Sequence, residues 1–308
     1  MLDSITHITR QLSEMEEPHI RYKILLNVYR RAADSREIRI IRDEVCESAL
    51  VSTLLAEQRR EGHIELPPHA RWRGAHWVLH LLADMGCAQG DKRFFALRDQ
   101  VCDWLLSAER QEPICGSIEG HALHYLHFLG LDDGRTDFIA DRLVNWANAW
   151  NLGKTPASYA QALTALRGLT LHAQHNVEPA LQQAATHLAE QLLDCGLYRK
   201  PGTETPISTD FTALHYPCYE HADLLFALKV MAEADLAEEP RCRPAVESLK
   251  SKQLANGTFP AERKHYRVGR SDKEGDSLVN WGGTHRTRTN LFVTLDALSA
   301  LRAVGERF

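Results

Sequence analysis

The segment 209–223, TDFTALHYPCYEHAD, concentrates side chains that can transfer protons or bind a metal ion. It carries Asp210, His215, Cys218, Glu220, His221 and Asp223 directly before an apolar stretch, LLFALKVMAEA. A helix start that serves only folding needs a capping Ser or Asp and little else. We therefore interpret this segment as part of a site, with Asp210, His215 and His221 as catalytic candidates.

The chemistry of this segment depends on where its helix begins. A helix starting near Tyr219 places His221 and Asp223 in the first turn. The helix dipole favours a carboxylate there and lowers the pKa of a histidine, which leaves a neutral imidazole able to act as a base. The alternative is that the carboxylates stabilise the helix start and the histidines only bond to the backbone.

The spacing His215-x-x-Cys218-x-x-His221 also permits a zinc site. Zinc accepts nitrogen and sulfur donors, and three ligands with an open position are typical of catalytic zinc. No fourth ligand stands at a standard spacing, so our main expectation is a site without a cofactor, with zinc as the alternative.

Three further segments supply candidates. In 71–77, RWRGAHW, two tryptophans flank His76 and predict either an aromatic wall or a core anchor. Glu119 lies near a helix start beside His121 and is a natural carboxylate partner for a histidine, or else an ordinary helix-start charge. In 281–288, Arg286 follows a Trp-Gly-Gly sequence and either binds an anion or belongs to a basic loop. His76 and Glu119 complete the catalytic set, and the expected lining residues are Trp72, Trp77, His121, Tyr159, Cys218, Tyr219, Asp223, Trp281 and Arg286.

Composition limits the classes of function. The 308 residues are 44% hydrophobic and 25% charged, as in ordinary globular proteins, and the net charge of −5 provides no basic field for nucleic acid. No apolar run is long enough to span a membrane, and the N-terminus has no apolar signal core. Seven scattered cysteines without a CxxC pair favour reduced thiols. We expect a cytoplasmic protein whose oligomeric state the sequence leaves open.

Apolar residues recur at three- and four-residue intervals in almost every segment, which predicts an all-α fold. The expected helices are near 3–16, 19–33, 36–60, 72–86, 92–109, 118–130, 136–150, 157–173, 177–195, 219–235, 241–254 and 288–304. We expect one domain over 1–308, with the helices of 1–70 packing on its remainder. The segment 259–287 has no helical periodicity and is a candidate lid.

Five nearly all-apolar helices recur along the chain, at 74–86, 119–130, 158–169, 220–234 and 289–305, several of them preceded by a more charged helix. Alternating charged and apolar helices are typical of stacked helical hairpins, with the apolar helix inside. The spacing is uneven, so both an open solenoid and a closed ring fit the pattern.

The turn at 253–259, QLANGTF, reads QxxxGxF and resembles the QxxxGxW turn of squalene cyclases and related proteins. The final helix, TNLFVTLDALSALR, is similar to the helix that closes their ring. This resemblance implies an (α/α)6 toroid of helical hairpins with a central cavity. It also implies that Gly257 permits the tight turn, that Phe259 stacks and that Gln253 caps a helix end.

The resemblance is incomplete. The chain lacks the DxDD acid motif of class II cyclases. His221 resembles the helix histidine that binds zinc in protein prenyltransferase β subunits, but the expected Asp-x-Cys pair is missing near 155–165. GxSxG, HExxH, DDxxD and Rossmann motifs are also missing. Neither subgroup's activity is therefore implied.

Together these patterns predict an enzyme acting on a small, largely apolar molecule in a central cavity, and the resemblance to the cyclases implies a terpenoid-like one. Acid–base chemistry by the His and Asp candidates would suit isomerisation, hydration or dehydration, or hydrolysis. One alternative is a zinc-dependent hydrolase or transferase. The other is a non-catalytic helical-repeat scaffold that binds a peptide or protein.

Overall fold

The computed structural model describes residues 2–108, 110, 113–271 and 274–306, and helices form most of this part of the chain. The α-helices are α1 (Leu2–Ser13), α2 (Pro18–Lys23), α3 (Arg36–Cys46), α4 (Ala49–Leu54), α5 (Ala75–Met85), α6 (Phe95–Leu106), α7 (Gly116–Phe128), α8 (Gly134–Ala149), α9 (Pro156–His175), α10 (Pro179–Asp194), α11 (Thr209–Thr212), α12 (Leu224–Glu233), α13 (Arg243–Lys250) and α14 (Leu291–Ala303). A π-helical turn, Ile24–Val28, continues α2, and short 3₁₀ turns precede α6 and α13. The predicted all-α class is confirmed.

Several expected helix boundaries are wrong, and capping explains two of these differences. The expected helix 36–60 is divided because Ser48 begins a new helix, its side chain accepting a hydrogen bond from the backbone N–H of Val51. The expected start near Tyr219 is too early because Asp223 caps α12, its Oδ1 accepting from the N–H of Phe226 at 2.8 Å. His221 therefore lies in the loop before the helix and not in its first turn.

The apolar helices pack against one another in order. Helix α5 contacts α7, α7 contacts α9, α9 contacts α12, and α12 contacts α14, which in turn packs on Ile24–Val28. Residues of these helices are buried on nearly all sides, whereas α3, α10 and α13 bury mainly one face. The charged helices thus form an outer layer over an apolar inner one. None of the described helices combines the length and apolar character needed to cross a membrane.

Helices α7 and α9 approach each other closely at three glycines, Gly116, Gly120 and Gly168. A Cβ atom added to Gly120 would lie 2.3 Å from the carbonyl oxygen of Thr164, and one added to Gly168 would lie 2.4 Å from that of Gly120. Any side chain at these positions would overlap the neighbouring backbone. Glycine is therefore required here by packing.

The N-terminal helices are joined to the rest of the chain by an apolar cluster and by ion pairs. Leu12, Ile20 and Ile24 pack against Leu295 and Leu298 of α14. The buried Lys23 of α2 also pairs with carboxylates of α5 and α14.

The described part of the segment 259–287 packs on the loop before α5. It contains two short parallel strands, β1 (Arg267–Val268) and β2 (Asp276–Ser277), with Arg267 opposite Asp276. The indole Nε1 of Trp72 donates to the carbonyl of His265 at 2.9 Å, and its backbone N–H donates to that of Asp276 at 3.2 Å. Phe259 is fully buried. These contacts hold the segment against the helices.

Candidate functional site

A cavity of about 590 Å³ lies beside the starts of α7 and α9. Its apolar wall contains Ile118, Pro156, Ala157, Ala160, Phe211 and Ala222, and its polar groups come from Cys115, Ser117, Thr155, Gln161, Ser208, Asp210, His215, Glu220, His221 and His265. The three candidates Asp210, His215 and His221 therefore share one cavity. Long-range folding brings them beside the starts of α7 and α9, more than forty residues earlier in the chain.

His215 is held on every side by protein oxygen atoms. Its Nε2 lies 3.0 Å from the carbonyl of His221, and its Nδ1 lies 3.2 Å from that of Ala213 and 3.3 Å from Oδ2 of Asp223. The backbone N–H of His215 also donates to Oδ2 of Asp223 at 2.9 Å. Since both ring nitrogens lie against protein oxygens, the imidazole of His215 is fixed within the loop before α12.

Asp223 fixes the same loop through hydrogen bonds to its backbone. Its two oxygens accept backbone N–H groups of His215 and Phe226, so one carboxylate both caps α12 and ties down the preceding turn. Burial raises the pKa of Asp223, and the nearby His215 opposes that rise.

His221 and His265 form the accessible imidazole pair of the cavity. Their rings stack with centroids 4.0 Å apart and planes 25° apart, and the ring of His265 meets that of His215 edge-on at 4.7 Å. Desolvation and the nearby His215 lower the pKa of His221. The same causes, together with His221, lower the pKa of His265 to about 3. Both rings are therefore neutral near pH 7 and able to accept a proton. The sequence analysis did not single out His265.

The carboxylates at this cavity are paired with arginines. Asp210 contacts Arg263 at 2.7 Å, and Glu220 pairs with Arg71, which also contacts Glu274. Asp210 and Arg263 are more than half exposed, so their attraction is screened by water. These pairs place charge at the cavity rim.

The expected aromatic wall is a packed cluster. The ring of Trp72 stacks on Tyr219 at 4.2 Å and meets Trp77 edge-on at 4.9 Å, and Trp77 in turn meets His76 edge-on at 4.6 Å. His76 and Trp77 are fully buried. Trp72 approaches His221 at 6.4 Å, which links this cluster to the cavity edge.

Glu119 is paired with an arginine and not with a histidine. Its Oε1 lies 2.6 Å from Nη1 of Arg110, and its Oε2 accepts the backbone N–H of Cys115 at 3.2 Å. Both charged side chains are buried. Nearby, Nε2 of His121 lies 3.0 Å from the carbonyl of Tyr219, and burial lowers the pKa of His121 to about 3. The expected carboxylate–histidine pair is therefore not formed by Glu119.

The remaining expected lining residues lie outside this cavity's wall. Tyr159 is fully buried, with its hydroxyl donating to the carbonyl of Arg199. Trp281 is fully buried, and its Nε1 donates to Oγ of Ser277 at 3.2 Å. Arg286 is exposed on the surface. None of these three side chains lines the cavity beside the starts of α7 and α9.

Metal-binding geometry involves a different residue set from the one the spacing suggests. Ligand atoms of His215, Cys218 and Asp223 lie within 4.8 Å of one another, so Asp223 stands where the sequence suggested His221. However, His215 and Asp223 already use these atoms in hydrogen bonds, and burial raises the pKa of the Cys218 thiol well above its usual value. A zinc ion would itself deprotonate the thiol, but it would also have to displace the hydrogen bonds of His215 and Asp223, so this donor set is not free as it is arranged.

A group of buried charges escaped the sequence analysis. It comprises Lys23 of α2, Asp84 of α5, Arg167 of α9, Lys229 and Glu233 of α12 and Asp296 of α14. The signal was present in the sequence, because four of these stand alone in apolar helices: HLLADMG, LTALRGLT, LFALKVMA and VTLDALSA. Isolated charges of this kind are rarely buried unless they are paired.

No protein-family model matches this chain, and comparisons with curated proteins and with solved structures gave no significant match.

Proposed function

We propose that this protein is an enzyme that transfers protons to or from a small, largely apolar molecule bound in the 590 Å³ cavity. One observation carries the proposal: Asp210, His215 and His221 line a single cavity that also has an apolar wall. Ligand pockets of enzymes are typically of this size and combine an apolar lining with a few polar groups.

We also propose that the helices close into an α/α toroid. Two observations support this arrangement. The first is the order of packing: α5, α7, α9, α12 and α14 contact one another in turn, and α14 packs on Ile24–Val28 near the beginning of the chain. Lys23 then bridges Asp84 of α5 and Asp296 of α14. A chain of neighbours that returns to its beginning is expected of a ring, whereas the ends of a solenoid stay apart.

The second support is a repeated turn. Gln253 donates from Nε2 to the carbonyl of Gly257 at 3.0 Å, and Gln58 donates in the same way to Gly62 at 2.7 Å. Both glycines have positive φ, +86° and +91°, which favours glycine. Each turn connects an outer helix to the path of the next inner one. Gln253 thus closes its own turn, where the resemblance implied a helix cap.

In the proposed mechanism the neutral imidazole of His221 or His265 takes a proton from the bound molecule, or from a water that attacks it. The imidazolium so formed returns that proton to another carbon or to the leaving oxygen, so the ring ends neutral as it began. His215 and Asp223 position the loop that carries His221, since His215 Nε2 binds the carbonyl of His221. Proton transfer of this kind serves isomerisation, hydration or dehydration, and hydrolysis. By resemblance to the cyclases, a terpenoid-like substrate is the first class to test. All seven cysteines are free thiols, which suits the reducing cytosol.

The proposal is tested by incubating the protein in D₂O with a panel of isoprenoid alcohols and alkenes. Isomerisation or hydration through an enzyme-borne proton incorporates deuterium, which mass spectrometry of the extracted products detects. We expect His221→Gln to lower the rate about 100-fold or more, the usual contribution of a general base. A filled cavity, in Ala160→Phe, should abolish turnover.

Val177→Ala is the matched control, because this residue is 82% exposed. The proposal fails if wild type turns over none of the panel, or if His221→Gln and wild type incorporate deuterium equally. A non-catalytic scaffold would tolerate His221→Gln and retain its protein partner.

A further inference from the structure

A second cavity, of about 240 Å³, lies at the opposite ends of α7 and α9 from the first. Its lining comes from α2 and the following turn and from the last turns of α5, α7, α9 and α12: Tyr22, Lys23, Leu26, Asn27, Ala83, Asp84, His124, Phe128, Arg167, Thr170, Leu171, Gln174, Lys229 and Glu233. None of these residues takes part in the proposed proton transfer. A cavity of about 150 Å³ already accommodates benzene, so this one has room for a small organic molecule.

Arg167 has unused hydrogen-bonding capacity at this cavity. Its Nε and Nη2 hold the carboxylate of Glu233 at 2.5 and 2.8 Å, but its Nη1 is buried and has no hydrogen-bond partner among the described residues. Arg167 itself is only 4% exposed. A buried guanidinium N–H without an acceptor is costly, and its natural partner is an anionic oxygen.

The other charges of the lining are already balanced. Asp84 forms ion pairs with Lys23 at 3.0 Å and with Lys229, and it accepts a hydrogen bond from the hydroxyl of Tyr216 at 2.8 Å. Glu233 forms an ion pair with Arg167. The lining thus presents three cations, Lys23, Arg167 and Lys229, against two carboxylates. Asp296 stands outside the lining but pairs with both lysines, so the three cations meet three carboxylates and the group carries no excess charge.

A second unpartnered group lies near the first. His124 is 4% exposed and lines the cavity, and its Nδ1 has no partner among the described residues. Leu26, Phe128 and Leu171 supply an apolar wall. The lining therefore combines a polar end, with the unpartnered Nη1 donor of Arg167 and the unpartnered Nδ1 of His124, and an apolar side.

We propose that this cavity is a binding site for a small organic anion, whose carboxylate or phosphate group is held by Arg167 Nη1 and whose apolar body packs on Phe128 and Leu171. The site is separate from the proton-transfer cavity and does not depend on the reaction proposed there.

The test measures binding of benzoate and inorganic phosphate by isothermal titration calorimetry, with the neutral isostere benzamide as the reference ligand. We expect at least one anion to bind and benzamide to bind at least tenfold more weakly. Stronger benzoate binding identifies a carboxylate ligand, and stronger phosphate binding a phosphate ligand.

Two variants locate the binding. Arg167→Lys should weaken it at least tenfold, because it keeps the charge but removes the Nη1 donor. Leu171 is half-buried in the cavity wall, and Leu171→Trp fills the cavity while it leaves Arg167 and Glu233 paired. If Arg167→Lys does not fold, this variant still tests whether the anion binds in this cavity. Asp210→Asn, at the other cavity, should leave anion binding unchanged.

Any of three results would overturn the proposal. These are that neither anion binds, that benzoate and benzamide bind equally well, or that folded Leu171→Trp binds the anion as tightly as wild type. The proton-transfer reaction and this site are affected by different substitutions, so failure of one is distinguishable from failure of the other.

Discussion

Asp84 and Asp296 share the same two lysines although they lie on different helices, α5 and α14. Nζ of Lys23 lies 3.0 Å from a carboxylate oxygen of each, and Lys229 contacts both from α12. Charges thus alternate around a closed square in which every carboxylate has two cationic neighbours. The square joins the N-terminal α2 to helices more than 200 residues later in the chain.

Asp84→Asn should be strongly destabilising. The side chain of Asp84 is 7% exposed, and the substitution leaves Lys23 and Lys229 with half their countercharge. Breaking a buried pair from one side typically costs about 3–5 kcal/mol. Urea unfolding measures the loss. The double variant Asp84→Asn/Lys23→Met should recover part of it, and a loss below about 1 kcal/mol in the single variant would argue against the square.

The square also has a pH dependence. Burial by itself would raise the pKa of Asp84, but Lys229, Lys23 and Arg167 together lower it well below its usual range. A carboxyl group whose pKa is lower in the folded chain than in the unfolded chain stabilises the fold at pH values above its unfolded pKa, which is about 4. This stabilisation is lost as the pH falls to the pKa of the folded state. In Asp84→Asn this acid-dependent loss should be smaller, as measured by urea unfolding at stepwise lower pH.

Buried histidines should lower the free energy of unfolding at a higher pH than the one at which Asp84 begins to act. Burial lowers the pKa of His121 to about 3, whereas in the unfolded chain it titrates near 6.5. The unfolded state therefore binds the extra proton first, and stability declines as the pH drops below about 6.5. At pH 5 this one residue should cost about 2 kcal/mol. His121→Gln should flatten the curve of unfolding free energy between pH 7 and 5, and an unchanged slope would contradict the assignment.

The same substitution should destabilise both glutamine turns, and the turn of Gln58 more, because its Nε2 also donates to the carbonyl of Arg93 at 2.6 Å. Gln58→Glu and Gln253→Glu each remove the amide donor to a glycine carbonyl while preserving side-chain length. Leaving that acceptor unsatisfied should cost about 1–3 kcal/mol in each variant. Thermal unfolding compares them, and a large effect at one turn with none at the other would show that the turns are not equivalent.

The contact between α7 and α9 predicts a sharp contrast between glycines. Gly168→Ala places a methyl group against the backbone of Gly120, and overpacking of this kind costs about 1–3 kcal/mol or more. Gly134→Ala, at the start of α8, has open space around the new atom and should be neutral or stabilising by about 0.4–1 kcal/mol. Equal unfolding free energies for the two variants would exclude the close approach.

The helices could be predicted because their apolar spacing is a local property of the sequence. The start of α12 could not, since the apolar pattern does not reveal that Asp223 caps the helix from outside. The convergence of Asp210, His215 and His221 on one cavity was expected from their density in the chain. His265 and Arg167 were missed because their importance arises from neighbours far away in sequence. Even so, the lone arginine in LTALRGLT was visible as an anomaly.

Gly120 and Gly168 lie between the two cavities, with Cys115 and Ile118 of the first on one side and His124 and Phe128 of the second on the other. Backbones in direct contact leave no room for a side chain between them, and the two cavities share no lining residue. One pair of helices thus bounds two separate binding spaces, so a substitution that fills one of them leaves the wall of the other intact.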